Sequence, residues 1–433
     1  MKNSVETEPH KSQKRSPKYI VAGAIGHVME WFDFAIYAYA APVISRHFFP
    51  SDDVLTSLMS TFAVFAVGFI ARPLGGLVMG VLGDRIGSTK VLSLCVIMMA
   101  GATVFMGLLP TYEMIGFWAP VLLVMARLLQ GFAVGGEIGS AASFLVEFAP
   151  PHRRGFYGSW TQQSAAVGLL LASLVFTALS VTLSEEALNS WGWRVPFVAS
   201  VLLAIFGFYL RRSMPNTPKF ENLVETEGIV KKPLTVVLRE NGGAVIRAIG
   251  IIVCFTIGFY FIFTFLPSYI RVVVESSYSA SFGSSVIGLS VFAVILPFLG
   301  HLSDKIGRKS LMICSYVGFI ALPYPLLKLI ETGSFPLMVV GQVGFVLVLA
   351  LVAAPLMTAL AELFRTSVRN SAVSVSYNLC VAALGGTAPM VATYLSSLEG
   401  SPEVYLAMYL GAAGIVSLLS IWTMKDRHKE PLA

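Results

Sequence analysis

Runs of apolar residues long enough to cross roughly 30 Å of hydrocarbon recur from one end of this chain to the other, which leaves few folds open. Twelve such runs lie at about 19–44, 56–82, 91–110, 117–146, 156–183, 193–211, 244–270, 280–302, 310–328, 336–361, 370–397 and 404–424. In a bilayer every backbone polar group must be satisfied within the protein, so runs of this length predict spanning helices and an all-α membrane fold. Composition agrees. Of 433 residues 56% are apolar and 12% charged, against ~25% charged in soluble domains, and the mean hydropathy is +0.76.

The pI near 9.1 raises the question of nucleic acid, but the charges are distributed by topology. With the N-terminus in the cytoplasm, 24 of the 30 lysines and arginines fall in cytoplasmic tails and loops. That bias orients a multi-pass protein of the cell membrane with both termini inside, its macromolecular surroundings being lipid rather than nucleic acid. Residues 1–18 are polar and no A-x-A site follows the first run, so it reads as an uncleaved span. Cys95, Cys254, Cys314 and Cys380 all fall in predicted spans without a C-x-x-C spacing, which favours packing over a disulfide or metal site.

The charged stretch from Arg211 to Gly243 divides the runs into six and six. The expected organisation is a tail (1–18), a first six-helix bundle (19–212), a cytoplasmic linker (213–243), a second bundle (244–424) and a tail (425–433). The bundles echo each other. "GVLGDRIGSTKVL" (Gly80–Leu92) is answered by "GHLSDKIGRKSLM" (Gly300–Met312), and "EFAPPHRRG" by "ELFRTSVRN", which pairs Glu147 and Arg154 with Glu362 and Arg369. Duplicated halves with a midplane site between them are a layout of alternating-access transporters.

The loop pattern G-x-x-x-D-[RK]-x-G resembles the signature of the major facilitator superfamily. "EWFDF" (Glu30–Phe34), "GFIARPLGG" (Gly68–Gly76), "RLLQGFAVGGEIG" (Arg127–Gly139), "WGWRVPF" (Trp191–Phe197) and "SYNLCVAALGGTAP" (Ser376–Pro389) resemble its metabolite:proton symporters. That family includes α-ketoglutarate, citrate, shikimate and proline/betaine carriers. The resemblance covers nearly the whole chain and implies two pseudo-symmetric bundles, usually working as a monomer. Two positions depart from the pattern: His27 stands where the family usually has Asn, and Ser88-Thr89 ends the first loop motif where basic residues are usual.

An ionised group at the centre of a span costs roughly 2.5–3.5 kcal/mol on insertion scales, so such groups pair or line a polar path. Glu30, Asp33, Arg72, Arg127 and Glu137 are of this kind, with His27 beside them, and all belong to the first half. At ~1.5 Å per residue, Asp33 and Arg127 both sit ~15 Å from the outer ends of their spans, and Glu30 is level with Arg72. Residues 27, 30 and 33 form a slanted stripe on one helix face. A carboxylate in a dry cavity holds its proton more tightly and an adjacent arginine loosens it, so a moving Asp33–Arg127 pair would couple proton uptake to motion. The resemblance supports this role, because sugar:proton carriers of the same superfamily use an Asp of span one and an Arg of span four in that way. Static pairs bracing the helices are the competing reading, and for His27 the favoured one.

Arg72 is suited to a substrate carboxylate unless Glu30 consumes it, in which case a nearly neutral site would suit zwitterions. Gln162, which matches a ligand-contacting Gln of the sugar carriers, and Gln163, Tyr377, Asn378, Trp31 and Tyr260 are further candidates for contact with a small polar solute. Gly131, Gly135 and Gly139 mark a close helix contact. Asp84, Arg85, Glu137, Glu147 and Arg154, with Asp304, Arg308, Glu362 and Arg369, read as a cytoplasmic gate. No metal or organic cofactor is expected; the proton is the coupling ion. The function read from the chain is proton-coupled symport of a small organic acid or zwitterion. The alternatives are an uncoupled facilitator or exchanger and, since H-E-x-x-H and P-loop motifs are absent, least of all a membrane enzyme or sensor.

Overall fold

A computed structural model describes residues 17–86, 88–135, 149–212, 233–364 and 369–430. Among them twelve helical spans follow one another in the expected order. The first half holds α1 (Pro17–Phe48), α2 (Val54–Ile86), α3 (Ser88–Leu108), α4 (Trp118–Gly135), α5 (Arg154–Thr182) and α6 (Val195–Arg212). The second holds α7 (Pro233–Tyr260, Phe261–Phe265 and Leu266–Val272), α8 (Tyr278–Ile306), α9 (Arg308–Ala321 and Pro323–Glu331), α10 (Phe335–Leu363), α11 (Arg369–Cys380, Val381–Gly385 and Ala388–Ser396) and α12 (Pro402–Trp422). By length and hydropathy alone eight of the described helices qualify as membrane spans, or nine when the two parts of α9 count as one.

Local chemistry explains where the spans start and bend. Asp53 caps α2 by accepting from the amides of Leu55 and Thr56 at 3.1 and 3.0 Å, and Ser277 caps α8 by accepting from Ala280 N at 3.2 Å. The ninth span, expected to be continuous, is bent by 55° at Leu322, because Pro323 has no N–H to continue the helix ladder and its ring crowds the carbonyl one turn earlier. Helix α7 begins at Pro233, so residues 233–243, expected in the linker, are helical; residues 213–232 lie outside those described. Both α7 and α11 are interrupted by a wide π-type turn, where Leu266 N bonds Phe261 O and Gly386 N bonds Val381 O.

The halves meet along α5 with α8 and α2 with α11, and the buried aromatic and aliphatic side chains of both form one continuous core. At the end of the molecule that carries Arg154 and Asp304, here called the basic end, α5 crosses α8 at Gly155 and Gly300. A Cβ on Gly155 would overlap Ser303 Oγ and fall 2.5 Å from Gly300 O, so only glycine permits the crossing.

Candidate functional site

The charges of the first half are brought together at its centre by a close helix crossing. Helices α2 and α4 touch backbone to backbone: a Cβ at Gly131 would overlap Gly68 O, and one at Gly135 would overlap Arg72 O. The glycine repeat thus sets Arg72 and Arg127 side by side, facing α1 with Glu30 and Asp33. All four side chains are buried, with Arg127 at 0% exposure.

Their pairing follows the expected pattern in one case and departs from it in the other. Arg72 Nη2 stands 3.9 Å from Glu30 Oε1. Asp33 and Arg127 do not form the direct ion pair that depth matching anticipates; two neutral side chains stand between them. Thr103 Oγ1 on α3 lies 3.2 Å from Asp33 Oδ2, Gln130 Nε2 donates to Thr103 Oγ1 at 2.9 Å, and Arg127 Nη1 donates to Gln130 Oε1. Depth along an axis matched Asp33 with Arg127 but carried no information on how far apart the axes lie.

Aromatic faces surround both guanidiniums. Arg72 Cζ lies 4.6 and 4.2 Å from the ring centroids of Phe34 and Phe69, and Arg127 Cζ lies 4.2 and 4.8 Å from those of Tyr37 and Phe65. Each contact is worth ~0.5–2 kcal/mol and offsets part of the cost of burying the charge. Nε and Nη2 of each arginine are buried and make no hydrogen bond, so the cluster retains donors that can still be used.

The expected neutral residues gather at the same level. Trp31 packs edge-on against Phe259 at 5.0 Å and lies 6.3 Å from Tyr260, while Tyr260 meets Phe69 at 5.3 Å, so α1, α2 and α7 share one aromatic cluster. The buried Tyr260 hydroxyl makes no hydrogen bond. Tyr377 faces Gln162, with Arg72 and Glu30 nearby. Gln163 is partly buried, its amide oxygen without a hydrogen bond. Asn378 instead bonds back along α11, to Ser374 O at 2.9 Å. His27 Nε2 accepts from Trp31 Nε1 at 3.0 Å. Because an indole N–H can only donate, that nitrogen of His27 carries no proton in this conformation.

The basic end is closed by an ionic network. Asp304 accepts from the amides of Gly155 and Phe156 at 2.8 and 3.0 Å, which places a carboxylate at the N-terminus of α5 where the helix dipole favours it. Arg308 joins Asp304 at 2.9 Å to Glu362 at 3.2 Å, and Arg154 lies 3.9 Å from Glu362. Thr358 donates to Arg154 O, and Arg154 Nη1 donates to the main-chain carbonyl of Glu430, so the segment after α12 also holds the first half. Arg369 donates to Ala361 O at 2.7 Å. Glu137 and Glu147 lie outside the described residues, as do the side chains of Asp84 and Arg85. At the opposite end Arg271 pairs with Glu185 at 3.0 Å, Tyr278 donates to Asn189 Oδ1 at 3.0 Å, and the rings of Tyr39, Phe176 and Phe282 pack edge-on or tilted between the halves. Among the described residues, contacts between the halves are thus made at both ends, with the buried charged centre between them.

Sequence reasoning missed Thr103 and Gln130, since it weighed only titratable groups for the charged centre and neutral ones only for contact with substrate. The i, i+3 spacing of Arg127 and Gln130 was a usable signal; nothing marked Thr103.

Known proteins agree with this architecture. A family profile described as sugar (and other) transporter matches residues 19–233, and one described as Major Facilitator Superfamily matches residues 277–433. A glycine betaine/proline/ectoine/pipecolic acid transporter of Dickeya dadantii (strain 3937) is 34% identical, the alignment covering 96% of this chain and 85% of that protein. A proline/betaine transporter of Salmonella typhimurium is 32% identical over 96% of this chain and 84% of its own. Among solved structures, the xylose transporter of E. coli in a partially occluded inward open conformation aligns with a TM-score of 0.75 at 18% identity, over 96% of this chain and 99% of that one. At that identity the likeness is one of fold. The relatives are transporters and not enzymes, and this chain is a multi-pass membrane transporter of the major facilitator superfamily, belonging to its metabolite:proton symporter family alongside the proline/betaine transporters.

Proposed function

We propose that the protein carries a small zwitterion of the proline or betaine kind together with a proton, by alternating access, as a monomer in the cell membrane with both termini in the cytoplasm. The observation that carries this reading is the central cluster, in which two buried arginines are balanced by Glu30 and Asp33 inside an aromatic enclosure. A site of nearly zero net charge suits a solute of zero net charge; a tricarboxylate would bring three negative charges to two arginines already offset by two acids. The unused N–H groups of Arg72 and Arg127 can take the carboxylate. The faces of Trp31, Tyr260 and Phe259 can take the alkylated ammonium through cation–π attraction. The names of the relatives point to the same solutes.

In the proton step we assign the exchangeable proton to Asp33. Ionised, it is held by the donors that reach it from Arg127; protonated, it releases them, and substrate and proton binding favour the same rearrangement. Glu30 holds Arg72 in place, and His27 braces Trp31. The network of Asp304, Arg308, Glu362 and Arg154 forms the cytoplasmic gate that must break before release. The two loop motifs make this gate unequal, because Ser88-Thr89 withholds from the first half the charge that Arg308-Lys309 supplies to the second.

The test is uptake of labelled proline, glycine betaine and citrate into vesicles containing the purified protein, with and without an inwardly directed proton gradient. Gradient-driven accumulation of one of the zwitterions is expected, and Asp33→Asn should lower it by tenfold or more while leaving exchange of labelled for unlabelled substrate. Uptake that ignores the gradient would establish an uncoupled facilitator instead, and accumulation of citrate alone would refute the zwitterion assignment.

A further inference from the structure

The link between Asp33 and Arg127 has a direction that follows from which groups can donate. A guanidinium has only donors, so the Gln130 atom facing Arg127 must be the amide oxygen. The Gln130 NH2 therefore faces Thr103, whose oxygen accepts at 2.9 Å. That leaves the single hydroxyl proton of Thr103 with two acceptors in reach, Asp33 Oδ2 at 3.2 Å and Met99 O at 2.9 Å. It can serve one of them at a time.

We propose that Thr103 and Gln130 are positioning residues of the proton step, forming a one-way chain of donors from Arg127 to Asp33 whose last member swings as Asp33 gains or loses its proton. This rests on the reading of Asp33 as the proton site. With Asp33 ionised, the Thr103 hydroxyl points at the carboxylate. With Asp33 protonated, the new O–H donates to Thr103 Oγ1 and the hydroxyl turns to Met99 O. No buried polar group is abandoned in either state, so proton exchange needs no rearrangement of helices at the moment it occurs. Thr103 and Gln130 are fully buried, which keeps water from substituting for either. The charges acting on Asp33 are those of Arg127 on α4 and of Glu30 one turn earlier on α1; Arg127 in turn faces Arg72 on α2 and the phenols of Tyr37 and Tyr260. Withdrawal of the Arg127 side chain by a substrate carboxylate that takes its donors frees Gln130 to rotate and ends the polarisation of the chain.

The experiment compares Thr103→Val, Thr103→Ser, Gln130→Glu and Asp33→Asn in reconstituted vesicles, reading gradient-driven accumulation, substrate exchange, the pH of half-maximal uptake and thermal unfolding. Thr103→Val should lower accumulation about tenfold and move the pH profile about one unit toward alkaline, while exchange persists. Thr103→Ser should restore both. Gln130→Glu preserves volume but offers Thr103 only an acceptor, so the hydroxyl turns away from Asp33; the profile should move as for Thr103→Val, which keeps the test alive if the valine variant does not fold. If Asp33→Asn abolishes coupling while Thr103→Val or Gln130→Glu keeps the wild-type profile, the chain of donors is refuted and the proton site stands. If Asp33→Asn still accumulates substrate along the gradient, the proton site falls and the chain with it.

Discussion

The two halves share one helix order but treat charge differently. In the first, Glu30, Asp33, Arg72 and Arg127 are buried in mid-helix. In the second, the buried charges among the described residues, Arg308, Glu362, Arg369 and Glu403, stand at helix ends, and the interior is furnished with hydroxyls and amides such as Ser281, Ser285 and Gln342. A duplicated scaffold does not require duplicated chemistry. One half can hold ions and respond to protons while the other supplies a neutral surface to move against.

The contrast can be broken at three points beyond the central site. The largest effect is expected at the basic end, where Asp304 holds the N-terminus of α5 and Arg308. Asp304→Ala strips a buried pair of one partner, at a cost of about 3 kcal/mol to the closed basic end, or roughly a hundredfold change in population. Spin-label distances between α5 and α8 should lengthen and transport should fall, while substrate affinity measured by calorimetry changes little. Asp84→Ala should do less, because its loop lacks two basic residues; equal effects would mean that the halves gate symmetrically.

A smaller effect is expected inside the second half. Gln342 Nε2 donates to Ser285 Oγ at 3.2 Å, but its buried amide oxygen has no hydrogen bond. Gln342→Leu loses one bond and an unsatisfied acceptor together, so unfolding should shift by about 1 kcal/mol or less, and the pH profile of uptake should not move. A shifted profile would show that the second half takes part in the proton step.

The smallest lies at the surface. The Thr56 hydroxyl, with the amides of Leu55 and Thr56, holds the exposed Asp53 carboxyl below its ordinary value of 3.8. A group whose proton affinity falls on folding stabilises the folded state above its unfolded pKa, and that contribution disappears as the pH drops through the folded one. Thermal unfolding should therefore show a slight loss near and below pH 4 that Asp53→Ala removes, of order one degree. A larger change would mean that the cap also positions α2, and with it Arg72.

Much of the fold was legible because the bilayer imposes length and polarity on every span, and the loop motifs at matching offsets revealed the duplication. The bend of α9 was legible too, in Pro323, but its flanking apolar run masked it. The π-type turns of α7 and α11 left no trace, since extra residues in a turn change no composition. At the site, Glu30 with Arg72 could be read from depth alone. The bridge through Thr103 and Gln130 could not, since it depends on where α3 lies between α1 and α4, which is a property of three helices packed together.

The grip of Arg154 on the segment after α12 ends on a backbone carbonyl, that of Glu430. Every residue type presents that same atom, so replacing the side chain at 430 leaves the contact intact. A scan by single substitutions would pass over it in silence, and so would a comparison of related sequences, which records only side chains. The hold can be loosened from the other side by changing Arg154, or by altering the length or path of the segment. At this point the gate is tuned by where the chain runs, independently of what it spells.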